Sequence, residues 1–395
     1  MKEQQILEVK MKILKTIRLV IKYIVMYLSM LMPRSKKIWV FGAWLGEKYA
    51  DNTKALFEQA QKRKDIHAVW ITKNPSVVEE IRKLGYEAYT FTSGKGIWYQ
   101  LRAGYAFETN GISDFKHAFL GRAVFINLWH GVPLKKVGYD DKYAHNWDSP
   151  YRKLRDKIVN VPLGKEYVVA TSETIATIYE SAFRRPRKNI LCLGQPRNDI
   201  FFEARDKQLF PDKKIILYAP THRKEGKEKM ELSKRLDFER IQTLCEKWDF
   251  YFVIKKHFYH KEEKEAIEKY SRILDVSNQV YDTQELLLET DILITDYSSI
   301  YIDFMLLNRP ILFYAYDYEQ YLQEDRQMYF TYDEVTPGPI VKDGGQLVDA
   351  LEESLSGKQF DAQKQKEILE LFYCEQGRTP VSNTLLDLVQ SGKLK

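Results

Sequence analysis

The sequence predicts an α/β protein built from two parallel β-sheets, each covered by helices on both faces. Short apolar runs recur along the chain, separated by stretches with helical periodicity. Those runs show little period-two alternation, which marks strands buried on both faces. They also fall into two series, and 395 residues supply enough chain for two sizeable cores. The first series is Ile38–Ala43, Ala68–Thr72, Ala88–Phe91, Tyr105–Glu108, Ala123–Leu128, Tyr167–Ala170 and Ile190–Leu193. The second is Ile215–Ala219, Tyr251–Ile254, Ile292–Thr295 and Ile311–Tyr314, and the polar stretch Asn198–Lys214 separates the two. Two Rossmann-like domains are therefore expected, over residues 36–205 and 206–395, with the last helix able to cross back. In such sheets ligands sit outside the carboxyl ends of the strands, so the residues that follow each strand are where chemistry is sought.

Residues 1–35 form a separate segment. The net charge is +6, yet between Val9 and Gly46 there are eight basic residues and no acidic one, which leaves the rest of the chain at −2. A nearly neutral body thus carries one basic segment, which argues against a nucleic-acid groove. The uncharged run Tyr23–Met32 is only ten residues long, short of the roughly 20 needed to span a bilayer, and no small-residue cleavage site follows it. At 100° per residue, Lys12, Lys15, Arg18 and Lys22 share one helix face while Ile13, Ile17, Val20, Ile21, Ile24, Leu28 and Leu31 share the other. Such a helix can lie in a membrane interface, with its cations on anionic headgroups; the alternative is a helix packed on the protein's own core. Cys192, Cys245 and Cys374 lie far apart without metal spacing, in keeping with a reduced, intracellular protein.

Five strand exits carry polar residues suited to chemistry. After Ile292–Thr295 comes Asp296-Tyr297-Ser298-Ser299, then an amphipathic helical pattern; paired hydroxyls there can cap a helix or hold a phosphate. After Ala123–Leu128 comes Trp129-His130-Gly131, with Lys135 and Lys136 close by. A histidine at a strand end beside a glycine suits a general base working near neutral pH. Lys255, Lys256, His257 and His260 follow the strand Tyr251–Ile254 and suit a diphosphate or form a solvated basic patch. Thr221-His222-Arg223 and Arg197-Asn198-Asp199 each deliver an arginine to a sheet edge, where it can hold phosphate by paired hydrogen bonds, although a single arginine so placed is more often structural. No Walker A loop, GxGxxG, GxSxG or zinc spacing occurs, so a displacement without a metal or other cofactor is expected.

Taken together, LWHGVPLKK, GQPRND, YAPTHRK, KKHFYH and ITDYSSIYIDFMLLNRPILFYAYDYEQY resemble the CDP-glycerol glycerophosphotransferase family of teichoic-acid synthesis, over about Asn127 to Arg378. The resemblance implies a GT-B architecture, with an acceptor-side first domain and a donor-nucleotide second domain. It also implies peripheral attachment to the cytoplasmic face of a bacterial membrane. The implied reaction is attack by a hydroxyl of a lipid-linked glycan acceptor on the β-phosphorus of CDP-glycerol, releasing CMP. Matched motif by motif, His130 and Asp296 form the catalytic set. His257, Ser298, Ser299, Arg223, Arg197 and Thr221 would hold the donor, and Lys135 and Gly131 would serve the acceptor or the transferred phosphate. Lys12, Lys15, Arg18 and Lys22 would face the membrane. The alternatives are the same transfer from CDP-ribitol, a GT-B glycosyltransferase using a nucleotide sugar, and a non-catalytic membrane-binding module.

Overall fold

A computed structural model describes residues 2–141, 165–204, 209–221, 232–256, 267–324, 327–358 and 361–394. The first domain holds seven strands: β1 (Ser35–Phe41), β2 (His67–Thr72), β3 (Ala88–Thr90), β4 (Ala103–Glu108), β5 (Val124–Asn127), β6 (Glu166–Ala170) and β7 (Ile190–Cys192). They are ordered β3-β2-β1-β4-β5-β6-β7. The second holds β8 (Lys214–Tyr218), β9 (Phe250–Ile254), β10 (Ile273–Asp275), β11 (Thr290–Thr295), β12 (Ile311–Tyr314) and β13 (Ile340–Val341). Their order is β10-β9-β8-β11-β12-β13. The strand pairings within both sheets are parallel. All eleven expected strands are present. The two that the sequence did not announce, β10 and β13, are edge strands with only two consecutive apolar residues each.

Alternation of side chains across the first sheet sorts its residues onto two faces. On one, Trp39 and Phe41 stack on Phe107, with ring centroids 5.2 and 4.6 Å apart, beneath the helices Asp51–Ala60 and Pro75–Lys83. Burying each such ring is worth about 1.5–3 kcal/mol. The C-terminal helix Ser382–Gln390 returns to this same face through Leu385, Leu386 and Val389. Asp199 accepts from the backbone N–H groups of Val381 and Ser382, at 2.8 and 2.9 Å, and so places a carboxylate at the positive end of that helix.

The opposite face of the first sheet carries Val40, Ala106 and Phe125, and onto it docks the N-terminal helix α1 (Lys2–Ser29). Only the last turns dock: Met26 and Ser29 are buried, and Gly121 N–H donates to Ser29 Oγ at 2.9 Å. A Cβ on Gly121 would lie 2.5 Å from that Oγ, so the close approach requires glycine. Arg34 then closes the helix end, donating to the carbonyls of Gln100, Ser29 and Phe119 at 2.6, 3.0 and 3.1 Å. Leu14, Ile17, Ile21, Ile24, Leu28 and Leu31 remain exposed. Among the described residues no helix is long and apolar enough to cross a membrane.

The two domains share one apolar cluster, in which Ile175 and Tyr179 of the first meet Ile302 and Phe304 of the second. A short antiparallel contact reinforces this seam. Lys135 bridges to Met328, Tyr329 N–H donates to the Leu134 carbonyl and Lys136 N–H to the Gln327 carbonyl, the last two at 2.8 Å. The carboxyl ends of β5 and β11 consequently face each other.

Candidate active site

His130 lies three residues beyond β5, on a turn set by two unusual backbone positions. Trp129 has φ 54 and Gly131 has φ 152. The Asn127 side chain caps the turn by accepting from Trp129 N–H at 2.9 Å. A Cβ at Gly131 would sit 3.3 Å from Ser299 Oγ and 3.5 Å from Arg197 Nη2, so this glycine keeps open the narrow space between the two domains.

His130 Nδ1 lies 3.0 Å from the Thr109 carbonyl oxygen. A carbonyl only accepts, so Nδ1 carries the proton and Nε2 has the free lone pair. Asp114 sets that carbonyl in place, accepting from the backbone N–H groups of Thr109 and Asn110 at 2.7 and 2.8 Å and from Leu45 N–H at 2.5 Å. The Trp129 and Trp44 rings flank the imidazole, with centroids 4.1 and 5.8 Å away. Burial pushes the His130 pKa below the ordinary value of 6.5, against the opposing pull of the Thr109 carbonyl and Asp51, with Arg197 adding to the depression. The neutral imidazole is therefore the resting form at pH 7.

Across the cleft, β11 ends at Thr295 and Asp296 is fully enclosed. Its Oδ1 accepts from Thr221 N–H at 2.9 Å, from Thr221 Oγ1 at 2.6 Å and from Tyr297 N–H at 2.6 Å. Asp296 thus ties the exit of β11 to that of β8 and fixes the backbone that presents Ser298 and Ser299. Both serines are partly exposed at the start of the short helix Ile300–Phe304, and Ser298 Oγ accepts from Ile300 N–H at 3.4 Å. Tyr297 turns inward and stacks on Tyr321 at 3.9 Å.

Arg197 occupies the seam rather than the open cleft. It donates to Asp303 at 2.7 Å, to Asp51 at 3.0 Å and to the His130 carbonyl at 2.9 Å. Burial pushes its pKa down, but Asp303 and Asp51 outweigh that and hold the guanidinium charged. Asn52 completes the link, accepting from Arg197 N–H at 3.1 Å and donating to the Trp129 carbonyl at 3.0 Å. On the far side Asp303 also accepts from the Tyr373 hydroxyl at 2.6 Å and from Gln284 at 3.0 Å. In this arrangement Arg197 positions the His130 turn, whereas the sequence placed it with the donor-holding residues.

The structure therefore brings His130, Gly131, Ser299 and Arg197 together, with Ser298, Asp296 and Thr221 behind them. Lys135 stands apart, its Nζ lying 4.8 Å from the centre of the Tyr321 ring in the second domain. Lys256 pairs with Asp275 at 3.6 Å, and Lys255 donates to the Gln279 carbonyl at 2.6 Å. Arg223, His257 and His260 lie outside the described residues, and Lys12 and Lys15 are described only as positions within α1. Asp51, Asn52, Asp303 and Asp114 are the positioning groups that sequence reasoning missed. The one signal for the last of them was a polar, glycine-containing turn after β4 that ends in Asp114. Among the described residues no group of three or more His, Cys, Asp or Glu side chains is arranged to hold a metal ion.

A family model described as CDP-glycerol:poly(glycerophosphate) glycerophosphotransferase matches residues 24–391. A teichoic acid poly(glycerol phosphate) polymerase of Bacillus spizizenii is 30% identical over 347 residues, which is 83% of this chain and 86% of that protein. A teichoic acid glycerol-phosphate transferase of Staphylococcus aureus is 29% identical over 336 residues, 81% of this chain and 84% of that one. Ribitol-phosphate enzymes of Bacillus spizizenii match over 58–61% of this chain. Among solved structures, the wall teichoic acid polymerase TagF superposes with a TM-score of 0.74 at 26% identity, covering 97% of this chain and 96% of that one.

Proposed function

The chain belongs to the CDP-glycerol:poly(glycerophosphate) glycerophosphotransferase family and is a teichoic-acid type transferase that uses CDP-glycerol; we propose that it delivers glycerol phosphate to a hydroxyl of a lipid-linked acceptor at a membrane surface, with His130 as the base. The observation that carries this assignment is the fixed imidazole. Nδ1 is spent on the Thr109 carbonyl, which leaves Nε2 to take the acceptor proton, and the turn holding it meets Ser299 across the cleft. As the acceptor oxygen bonds to the β-phosphorus, the bond from that phosphorus to the bridging oxygen breaks and CMP leaves. The hydroxyls of Ser298 and Ser299, with His257, would hold the donor diphosphate and stabilise its charge. Asp296 contributes by fixing the backbone under those serines.

Nucleotide release from the purified full-length protein, CMP from CDP-glycerol or CDP-ribitol and UDP from UDP-sugars, each measured separately with a lipid-linked acceptor, tests the reading. Turnover with CDP-glycerol is expected. Turnover only with a UDP-sugar, or with no donor at all, would overturn it.

Membrane attachment is assigned to α1. Met26 and Ser29 turn toward the protein, on the same side as Arg18 and Lys22, so the exposed stripe Ile17, Ile21, Ile24 and Leu28 is directed away from the domain. That leaves an apolar face for acyl chains beside cations for anionic headgroups. Replacing Ile17, Ile21 and Ile24 together with glutamate removes about 1.5–3 kcal/mol of apolar burial per side chain and spares the docking turn. In sedimentation with anionic phospholipid vesicles the wild type should pellet and the triple variant should remain in the supernatant; equal pelleting would remove α1 as the anchor.

A further inference from the structure

A cavity of about 540 Å³ lies beside the His130 turn, in the first domain, and none of the residues discussed so far as donor-holding lines it. Its inner wall is Phe125, Asn127 and Trp129, taken from β5 and the turn after it; its outer wall includes Phe183, Arg184 and Arg185. The volume falls in the range of about 300–1,000 Å³ typical of small-ligand sites. Trp129 separates it from the base: the ring contacts Phe183 at 4.7 Å on one side and the His130 imidazole at 4.1 Å on the other.

Its position and charge indicate what it holds. Phe125 belongs to the same apolar cluster as Met26, so the cavity opens on the sheet face where α1 docks, while the serines lie in the other domain beyond Gly131. A chain rising from the surface on which α1 rests would reach this cavity without crossing the donor side of the cleft. The polar lining is built rather than loose. Glu166 is held by Arg185 and by Asn127 Nδ2, so its charge is already matched. Arg184 adopts a left-handed backbone, φ 51, and its guanidinium lies 3.9 Å from the centre of the Tyr139 ring, at the rim. Among the described residues no carboxylate pairs with Arg184 or with Lys165, which also lines the cavity. Two cations at the mouth, aromatic walls inside and a base one ring away fit an anionic, hydroxyl-terminated chain.

We propose that this cavity binds the last glycerol phosphate unit of the acceptor, with its phosphate at Arg184 and Lys165 and its carbons against Trp129 and Phe183, so that its terminal hydroxyl reaches out of the cavity past the edge of the Trp129 ring toward His130. The proposal rests on the transferase reading and adds to it the place where the acceptor is read. A synthetic oligo(glycerol phosphate) on a short alkyl chain serves as the probe, with the full-length protein and two variants. Arg184→Glu reverses the charge at the rim, and Ser113→Trp fills the cavity from an exposed lining position. Each should raise the acceptor KM at saturating CDP-glycerol by about tenfold or more, equivalent to about 1.4 kcal/mol, and weaken direct binding of the oligomer by a similar factor. Calorimetric affinity for CDP-glycerol and the melting temperature should stay at wild-type values. Wild-type acceptor KM and oligomer binding in a folded variant would overturn the proposal. If the wild type binds no CDP-glycerol and releases no CMP, the transferase reading fails by itself. The oligomer-binding comparison then decides on the cavity independently, and Ser113→Trp decides alone should Arg184→Glu not fold.

Discussion

Turnover of His130→Ala should fall by about 10²–10⁴-fold, the range expected when a general base is removed, with CDP-glycerol affinity close to wild type. The imidazole touches the first domain through the Thr109 carbonyl and the two tryptophan rings, and the serines proposed to hold the donor lie in the second domain. Removing the base should therefore act on kcat and leave calorimetric donor binding in place. The pH profile adds a second readout. Burial lowers the His130 pKa below 6.5, and the active form is neutral, so activity is present above the lowered pKa and lost as pH falls through it. The acid limb of kcat should lie below pH 6.5 in the wild type and disappear from the residual activity of the variant. Unchanged turnover, or an acid limb that persists in His130→Ala, would remove this residue as the base.

Arg197→Ala should destabilise the protein by about 3–5 kcal/mol, the usual consequence of leaving buried charges without their partner. Arg197 is 14% exposed, and its partners Asp51 and Asp303 are 6% and 2% exposed, so solvent does little to screen the loss. The three residues link the first domain, the His130 carbonyl and the second domain, and the loss should appear in urea unfolding with a smaller midpoint. Breaking the network from both sides should cost less than the sum: Arg197→Met with Asp303→Leu removes two of the three buried charges together and leaves only Asp51 without its partner. A double-mutant cycle with strictly additive effects would show that the pair is not coupled. Because Arg197 also donates to the His130 carbonyl and helps depress the His130 pKa, activity should decline in the single variant and the acid limb should move to higher pH.

Much of this was open to reading from the residues. Strands with both faces buried must be apolar throughout, so β1, β2, β5, β8 and β11 announce themselves as continuous runs. His130-Gly131 after such a run places a titratable ring at a sheet's carboxyl edge from the residue order alone. The edge strands β10 and β13 escaped because each offers only two consecutive apolar residues, Ile273-Leu274 and Ile340-Val341. The Asp296-Tyr297-Ser298-Ser299 segment was legible as a motif but not as a geometry: that Asp296 Oδ1 ties Thr221 to Tyr297 depends on a residue 75 positions away.

Arg197 shows most clearly where sequence reasoning ends. It stands at a strand exit and so reads as a phosphate ligand, yet the carboxylates that hold it are 146 and 106 residues away. Asp303 sits in what reads as an ordinary amphipathic helix, and Asp51 in a polar stretch before another.

The sequence by itself determined the eleven apolar strands and their division into two series, the amphipathic pattern of the N-terminal segment and the residue types at each strand end. These follow from local periodicity and from backbone preferences, which act over a few neighbours. Only the tertiary structure decided which charges stand free and which are paired, that one face of α1 docks while the other is left bare, and that the His130 turn faces Ser299 beside a cavity rimmed by Arg184. Charge pairing, burial and cavities depend on distances through space between segments far apart in the chain. They come into being when the two sheets close on each other.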